Sequence, residues 1–438
     1  MSKYPPPVVF LPGIMGSALR DEYPVTPESV WSAIKMALNA YDRITLHPDN
    51  PRYEVQEPAR VVKDQPLALV YSEFVAELRH NLSPQPDEPV PVFPFAYDWR
   101  RPLAEVEKEL AAFVDEVIER TKLLRHYAAD GYGTENPAQV NLVGHSMGGM
   151  LITGYLKNYG LGKVNKVATI ATPFRGSFEA VAKTATGMAS LGTSPGSSRE
   201  RESARVTPSL YHLLPSFDTA SGQPGELTLF NVAAWQPSIL QSLASFFRMY
   251  GVKNSTENTP EQQAQVLMAS FLKTAAEYRD TLESLTLPDS KQWLSIVGVG
   301  RNTRVGMGFD KDDAGQPLFD LSEEKYCKGD WSDKSTPHDT QTGDNTVPYF
   351  GARASFIPTA QVVCVTADDF NFWELEDRAL LAIGLHSDLP NMNLVQRLVT
   401  CHLKGSIPNG AEVWGRRAPD LPDTEKWDPP IAGLTEEK

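Results

Sequence analysis

The sequence predicts an α/β fold: a mostly parallel sheet with helices on both faces and an inserted cap or lid. Three observations carry that expectation. Six short apolar runs are spread along the chain, helical stripes lie between them, and one run stops at a serine boxed in by glycines, "VNLVGHSMGGML" (140–151). Apolar runs of about four to eight residues without polar alternation suit strands buried on both faces. Alternation of such strands with helices produces parallel crossovers of one hand.

In chain order the strand candidates are "VVFLP" (8–12), "VFPFAY" (92–97), "VNLVG" (140–144), "VATIA" (167–171), "WLSIVGVG" (293–300) and "AQVVCV" (360–365). Leu103, Val106, Leu110, Phe113, Val114, Val117 and Ile118 recur at helical spacing, and Gly131 follows them. A second helix should run from Met147 to about Asn158, stopping near Gly160. The alternation fails between Phe174 and Gln292, where a Gly/Ser/Thr/Pro-rich piece precedes two helical patterns. The expected organisation is therefore a core of residues 1–173 and 293–410, a cap over 174–292, and a tail over 411–438. That tail is polar and proline-rich ("PDLPDTEKWDPP"), which suggests extended chain. "DKDD" (310–313) matches no calcium-loop pattern and reads as a solvated loop.

Composition limits the partners. Hydrophobic residues make up 41% and charged residues 22%, enough for a sizeable packed core. A net charge of −14 supplies no basic footprint for nucleic acid and no purely electrostatic docking on anionic lipid. Membrane contact would need a local apolar surface. The cap stripe Ile239, Leu240, Leu243, Phe246, Phe247 and Tyr250 is the candidate, for a bilayer or for an acyl-chain tunnel; ordinary helix packing is the alternative. The opening "MSKYPPPVVFLPG" lacks the pattern of a secretory signal, and no window reaches the roughly 18 apolar residues of a membrane span. Cys327, Cys364 and Cys401 stand at unrelated spacings and imply neither a disulfide framework nor a metal site. A cytoplasmic protein without metal or cofactor is expected.

The glycine-boxed serine has a chemical reading. A serine on a sharp strand-to-helix turn presents its Oγ at the end of a sheet, and such a turn has no room for side chains two residues either side. Gly144 and Gly148 meet that need around Ser146. A serine hydroxyl becomes a nucleophile only when an oriented base takes its proton. On sheets of this kind the order is serine, acid, histidine. Four histidines follow Ser146, namely His212, His338, His386 and His402, whereas His145 precedes it. His212 and His338 come before the best acid candidate, and His402 sits inside a helical pattern. His386 lies in "AIGLHSDLPNMN", beyond the last expected strand and ahead of a helix, where the base belongs. Asp344, in "TGDNTVPYF", is the acid candidate; its alternative use is an Asx-turn. Two oxyanion donors are also required. The N–H of Met147, after the nucleophile, is one, and Gly13 in "VVFLPGIMGSAL" lets the N–H of Ile14 approach as the other.

Taken together, "FLPGIMGS", "FAYDWRRP", "GHSMGG", "GDNTVP" and "LHSDLP" resemble the lecithin:cholesterol acyltransferase and lysosomal phospholipase family, in that family's order. The stretch Tyr97-Asp98-Trp99-Arg100 is its most diagnostic part, and "ATPFRGS" (171–177) and "SLYHLLPS" (209–216) add to the likeness. The resemblance implies an α/β-hydrolase core with a cap, with Ser146 as nucleophile, Asp344 as acid and His386 as base. It implies Ile14 and Met147 as oxyanion donors, and Asp98, Trp99, Arg100 and Arg101 as structural support, through a buried ion pair. The chemistry implied is cleavage of a lipid acyl ester, with the acyl group passed to water or to an alcohol. A hydrolase of small soluble esters and a non-catalytic binding scaffold are the competing expectations. Asn345 stands where the family usually has glycine, and the signal peptide and disulfides of the secreted animal members are missing, so an intracellular bacterial relative is expected.

Overall fold

The computed structural model describes residues 3–38, 40–187, 198–217, 229–252, 259–327, 342–370 and 384–437. Six strands form the central sheet: β1 (Val8–Leu11), β2 (Val92–Pro94), β3 (Val140–His145), β4 (Val164–Ile170), β5 (Trp293–Val299) and β6 (Val363–Thr366). They lie in the order β6-β5-β4-β3-β1-β2, and every neighbouring pair is parallel. Each grows from one of the six apolar runs. The runs are apolar because both faces are covered: all of β1 and β3 is buried, as is all of β5. β4 starts three residues before its run. Asn165 and Lys166 interrupt the pattern there, and Asn165 Nδ2 finds a polar partner in Asn141 Oδ1 at 2.9 Å.

Helices α1 (Ala68–Leu82), α2 (Leu103–Lys122), α3 (Met147–Tyr159), α4 (Pro237–Tyr250), α5 (Pro260–Glu283) and α6 (Asn393–Lys404) are the longer ones described. α1 packs with α6, and α2 packs with α3. The predicted stripe of α2 points inward, with Leu103, Val106, Leu110, Val114, Val117 and Ile118 buried. Its half-buried Phe113 meets Phe95 with ring centroids 5.1 Å apart. Among the described residues no helix is long and apolar enough to cross a membrane.

In the interval from 174 to 292, α4 lays its stripe against α5. Ile239, Leu243, Phe246 and Phe247 are buried, and Leu240 and Tyr250 half-buried. The stripe is therefore covered by protein, as its helix-packing reading requires. α5 is in turn tied to α3 and to the loop after β4. Tyr278 Oη donates to the Met150 carbonyl at 3.2 Å. The Arg279 guanidinium donates to the carbonyls of Pro173, Phe174, His212 and Leu214, which joins the loop after β4 to the segment carrying "SLYHLLPS".

Three parts were not foreseen. Ser17–Asp21, Glu28–Trp31 and Val61–Pro66 form an antiparallel sheet between β1 and α1. These strands are short and one-sided, with mixed burial and charged residues, so no apolar run marks them. Thr303–Lys311 and Pro317–Cys327 pair as a hairpin, and Asp310 and Lys311 of "DKDD" belong to its first strand rather than to a loop. Phe319 of this hairpin meets Trp235, ring centroids 5.5 Å apart, so the excursion after β5 packs against the inserted interval. Beyond residue 411, Trp414–Gly415 pairs with Thr435–Glu436, and Arg416 exchanges backbone hydrogen bonds of 2.8 and 3.0 Å with Cys364. Val413, Leu421, Trp427 and Ile431 are buried, so the segment is docked at the β6 edge of the sheet by four apolar anchors spaced among polar residues.

The stretch 97–101 fastens the loop after β1. Tyr97 Oη donates to the Pro12 carbonyl (2.8 Å) and Trp99 Nε1 to the Ser17 carbonyl (3.1 Å). Arg100 is fully buried and pairs with Asp98 at 2.8 Å and Glu54 at 3.0 Å, while its Nη1 donates to the Ile44 carbonyl at 3.0 Å. Burial alone would raise the Asp98 carboxyl, but the Arg100 charge and hydrogen bonds hold it below its usual range. Removing the guanidinium leaves the enclosed Glu54 without its cation and Asp98 with Arg101 alone. Arg100→Ala should therefore destabilise by about 3–5 kcal/mol, seen as a clear fall in the thermal unfolding midpoint, and an unchanged midpoint would contradict the pairing.

Candidate active site

The carboxyl ends of β1, β3 and β5 bring the segments around Gly13, Ser146 and Asp344 together at one end of the sheet, where His386 joins them. Ser146 is the link between β3 and α3. Its backbone lies at φ 52 and ψ −127, in a region that L-residues avoid. The conformation is held from both sides: the Ser146 N–H donates to the Ile170 carbonyl at 2.9 Å, and its carbonyl accepts from the Gly149 N–H at 3.0 Å. The flanking glycines are required by contact. A Cβ on Gly144 would stand 2.7 Å from the Gly149 nitrogen, and one on Gly148 would strike the Leu11 and Pro12 carbonyls. Gly149, not singled out from the sequence, is equally constrained, since a Cβ there would strike the Thr172 side chain.

His386 sits in a short helix, Leu385–Asp388. Its Nε2 is 3.0 Å from Ser146 Oγ and its Nδ1 is 2.7 Å from Asp344 Oδ2. An ionised carboxylate only accepts, so Nδ1 carries the ring proton and Nε2 faces the serine hydroxyl as acceptor. The other Asp344 oxygen accepts the N–H groups of Thr346 (3.0 Å) and Val347 (2.7 Å). The two readings of this aspartate therefore coincide: one oxygen closes its own turn, and the other orients the imidazole. A backbone bond, His386 N–H to the Asp344 carbonyl at 3.1 Å, locks the two loops together. All three side chains are buried, Asp344 most completely, at 1% exposure.

Asn345 has φ 79, a left-handed conformation that asparagine tolerates better than other non-glycine residues. Its N–H donates to Thr303 Oγ1 at 2.9 Å, so the base of the hairpin steadies the acid's turn. The departure from glycine at this position thus preserves the backbone shape.

Gly13 brings the β1 loop against the serine, for a Cβ on it would lie 2.9 Å from Ser146 Cβ and 3.4 Å from Oγ. Ile14 follows at half burial, and Met147 is the first residue of α3, where the helix end favours negative charge. Neither N–H donates to another described residue. Met15, the next residue, has φ 61 and is pinned through its carbonyl by Trp31 Nε1 at 3.0 Å. Behind the loop, Tyr97 and Trp99 hold Pro12 and Ser17, while Asp98 and Arg100 pair with each other.

Sequence reasoning passed over His145 because it precedes the serine. The structure places it under the site, with Nδ1 2.9 Å from Tyr71 Oη and Nε2 2.9 Å from the His386 carbonyl. Burial, reinforced by the neighbouring His386, pushes its pKa down to about 3, so it is uncharged near neutrality. Nothing in spacing could have found Tyr71, which lies on α1 far from every motif. Of the other histidines, His212 is enclosed with its ring 4.8 Å from Tyr278, and His402 bonds the Gln292 carbonyl at 3.2 Å. His338 lies outside the described residues. Among the described residues no group of three or more His, Cys, Asp or Glu side chains is arranged to hold a metal ion.

Comparison with known proteins is consistent with this geometry. A family model described as lecithin:cholesterol acyltransferase matches residues 64–354, well over half of the chain. No curated protein matches the sequence. Among solved structures, a chain of the Tle4–Tli4 complex superposes with a TM-score of 0.55 at 15% identity, covering 81% of this chain and 90% of that one. A Staphylococcus hyicus lipase gives 0.34 at 12% identity, over 92% of this chain and 97% of that one, an overlap too slight to build on. At such identities the first likeness speaks for the α/β-hydrolase fold alone.

The turn at Asn345 can be probed directly. Asn345→Gly should leave stability and ester turnover close to wild type. Asn345→Val, a β-branched residue forced to positive φ, should cost about 1–3 kcal/mol and lower turnover by displacing Asp344. Equal behaviour of the two variants in thermal unfolding would show that this backbone shape does not matter.

Proposed function

The chain belongs to the lecithin:cholesterol acyltransferase family, and on that premise we propose that it is a serine-dependent lipid acyl-ester hydrolase or acyltransferase working through an acyl-enzyme. The observation that carries the reading is the continuous line Ser146 Oγ, His386 Nε2, His386 Nδ1, Asp344 Oδ2, with spacings of 3.0 and 2.7 Å.

In this reading Ser146 Oγ attacks the ester carbonyl while His386 Nε2 takes its proton. Asp344 keeps the tautomer that leaves Nε2 free and stabilises the imidazolium that forms. The Ile14 and Met147 N–H groups receive the oxyanion. Collapse of the tetrahedral intermediate expels the alcohol, which leaves with the proton from His386. Water, or an acceptor alcohol, then gives its proton to His386, attacks the acyl-serine and releases the acid or the new ester. Hydrolysis asks only that water reach the acyl-enzyme, whereas transfer needs a second, drier pocket; hydrolysis is the less demanding outcome. A lipid is the proposed partner, and the cytoplasm the proposed location.

Two experiments test the proposal. Incubation with a mixed lipid extract, followed by lipid mass spectrometry, should show loss of an acyl ester with wild type; Ser146→Ala should be slower by about 10⁴-fold or more. Undiminished turnover by Ser146→Ala would refute the assignment. The substrate class is read from kcat/KM on dispersed phospholipid against a short-chain soluble ester. A higher value on the phospholipid is expected, and a strong preference for the soluble ester would replace the lipid reading.

A further inference from the structure

Beneath the serine runs a chain of hydrogen bonds whose direction is fully determined. The Gly13 N–H can only donate, and it donates to Tyr71 Oη at 3.1 Å. A hydroxyl that accepts there keeps its own proton for the next neighbour, His145 Nδ1, at 2.9 Å. His145 is enclosed and uncharged, so its single ring proton stands on Nε2, 2.9 Å from the His386 carbonyl oxygen. The reverse direction would set the lone pair of Nε2 against the carbonyl lone pairs. Only one arrangement satisfies every group.

The frame that holds Tyr71 touches the same two loops. The Leu67 N–H, at the start of α1, donates to the Gly16 carbonyl at 2.9 Å. Asn391 Nδ2, just after the His386 helix, donates to the Val70 carbonyl at 2.7 Å. The Tyr71 ring also packs on Phe10 of β1, centroids 5.1 Å apart. One helix end therefore grips both the strand-β1 loop and the histidine loop.

We propose that Tyr71 and His145 are positioning residues that set the oxyanion loop (Gly13–Ile14) and the base (His386) as one unit. The proposal rests on the acyl-transfer reading above and deepens it. Neither side chain is assigned a contact with substrate; Tyr71 acts through the backbone of Gly13, next to the donor Ile14, and His145 through the carbonyl of His386. A shift of about 1 Å in such groups is enough to cost on the order of 10²-fold in rate.

The test compares wild type, Tyr71→Phe, His145→Asn and the double variant, with Ser146→Ala as the reference for the reaction itself. Turnover of a soluble chromogenic ester is expressed per site titrated with a fluorophosphonate for every form that keeps Ser146, and per mole of protein for Ser146→Ala. Each single change should lower kcat by at least about 10-fold with KM within about 2-fold. The double variant should fall no more than about 3-fold below the weaker single, because a chain broken once is already broken. A smaller loss of kcat in Tyr71→Phe, a loss residing in KM, or single losses that multiply in the double variant would each overturn the proposal. If instead Ser146→Ala turns the ester over as wild type does, it is the underlying reaction that fails, a result separate from the other three.

Discussion

The turn carrying Ser146 can exist only where three backbones pass within touching distance. Gly148 lies against the Leu11 and Pro12 carbonyls at the end of β1, Gly144 lies against the start of α3, and the Ser146 N–H reaches across to the end of β4. Such an approach needs adjacent parallel strands ending at the same level, and the register supplies it: Gly144 stands beside Leu11 on one side and Thr169 on the other. The unfavourable φ of 52 at Ser146 costs on the order of 1–3 kcal/mol, which the packed sheet must offset. In return the hydroxyl is fixed at the sheet edge before any substrate arrives. Met15, Ala171 and Asn345, the other non-glycine residues at positive φ among those described, lie on loops of this same region, so strain is concentrated where geometry matters most.

Around that fixed hydroxyl the partners come from distant parts of the chain. Asp344 and His386 are joined to each other twice, by side chain and by backbone, before either concerns the serine. That double link makes the pair a rigid insert. A buried carboxylate with 1% exposure is costly without donors, and this one receives two backbone N–H groups as well as the imidazole. The arrangement orients Asp344 through donors on both of its oxygens. Behind it, the Asp98–Arg100–Glu54 cluster does a different job, because its charges close on one another and tie the 98–100 stretch to residues 44–54.

Much of this was legible in the residues, for stated reasons. Strands covered on both faces are mostly apolar, so the buried runs could be read from the sequence, with Asn165 and Lys166 hiding the start of β4. Ser146, Asp344 and His386 could be placed because glycines, a turn and a helix start mark the ends of such strands. The small antiparallel sheet over residues 17–66 left no such mark, since polar and charged residues are interspersed along each strand. The role of α4's stripe was not decidable either: Phe246 and Phe247 have the same spacing whether they face a lipid or, as here, another helix. His145 and Tyr71 escaped because contact between a strand end and a helix 74 positions away has no periodicity to betray it.

The account stands or falls on whether Ser146 Oγ becomes covalently bonded to the acyl group during turnover. Acid quenching during reaction with an activated acyl ester, followed by peptide mass mapping, measures this directly. The account predicts a mass increase equal to the acyl group on the peptide containing Ser146, decaying as the ester is exhausted. Sustained turnover with that peptide unmodified, or with the acyl group on another residue, would contradict it.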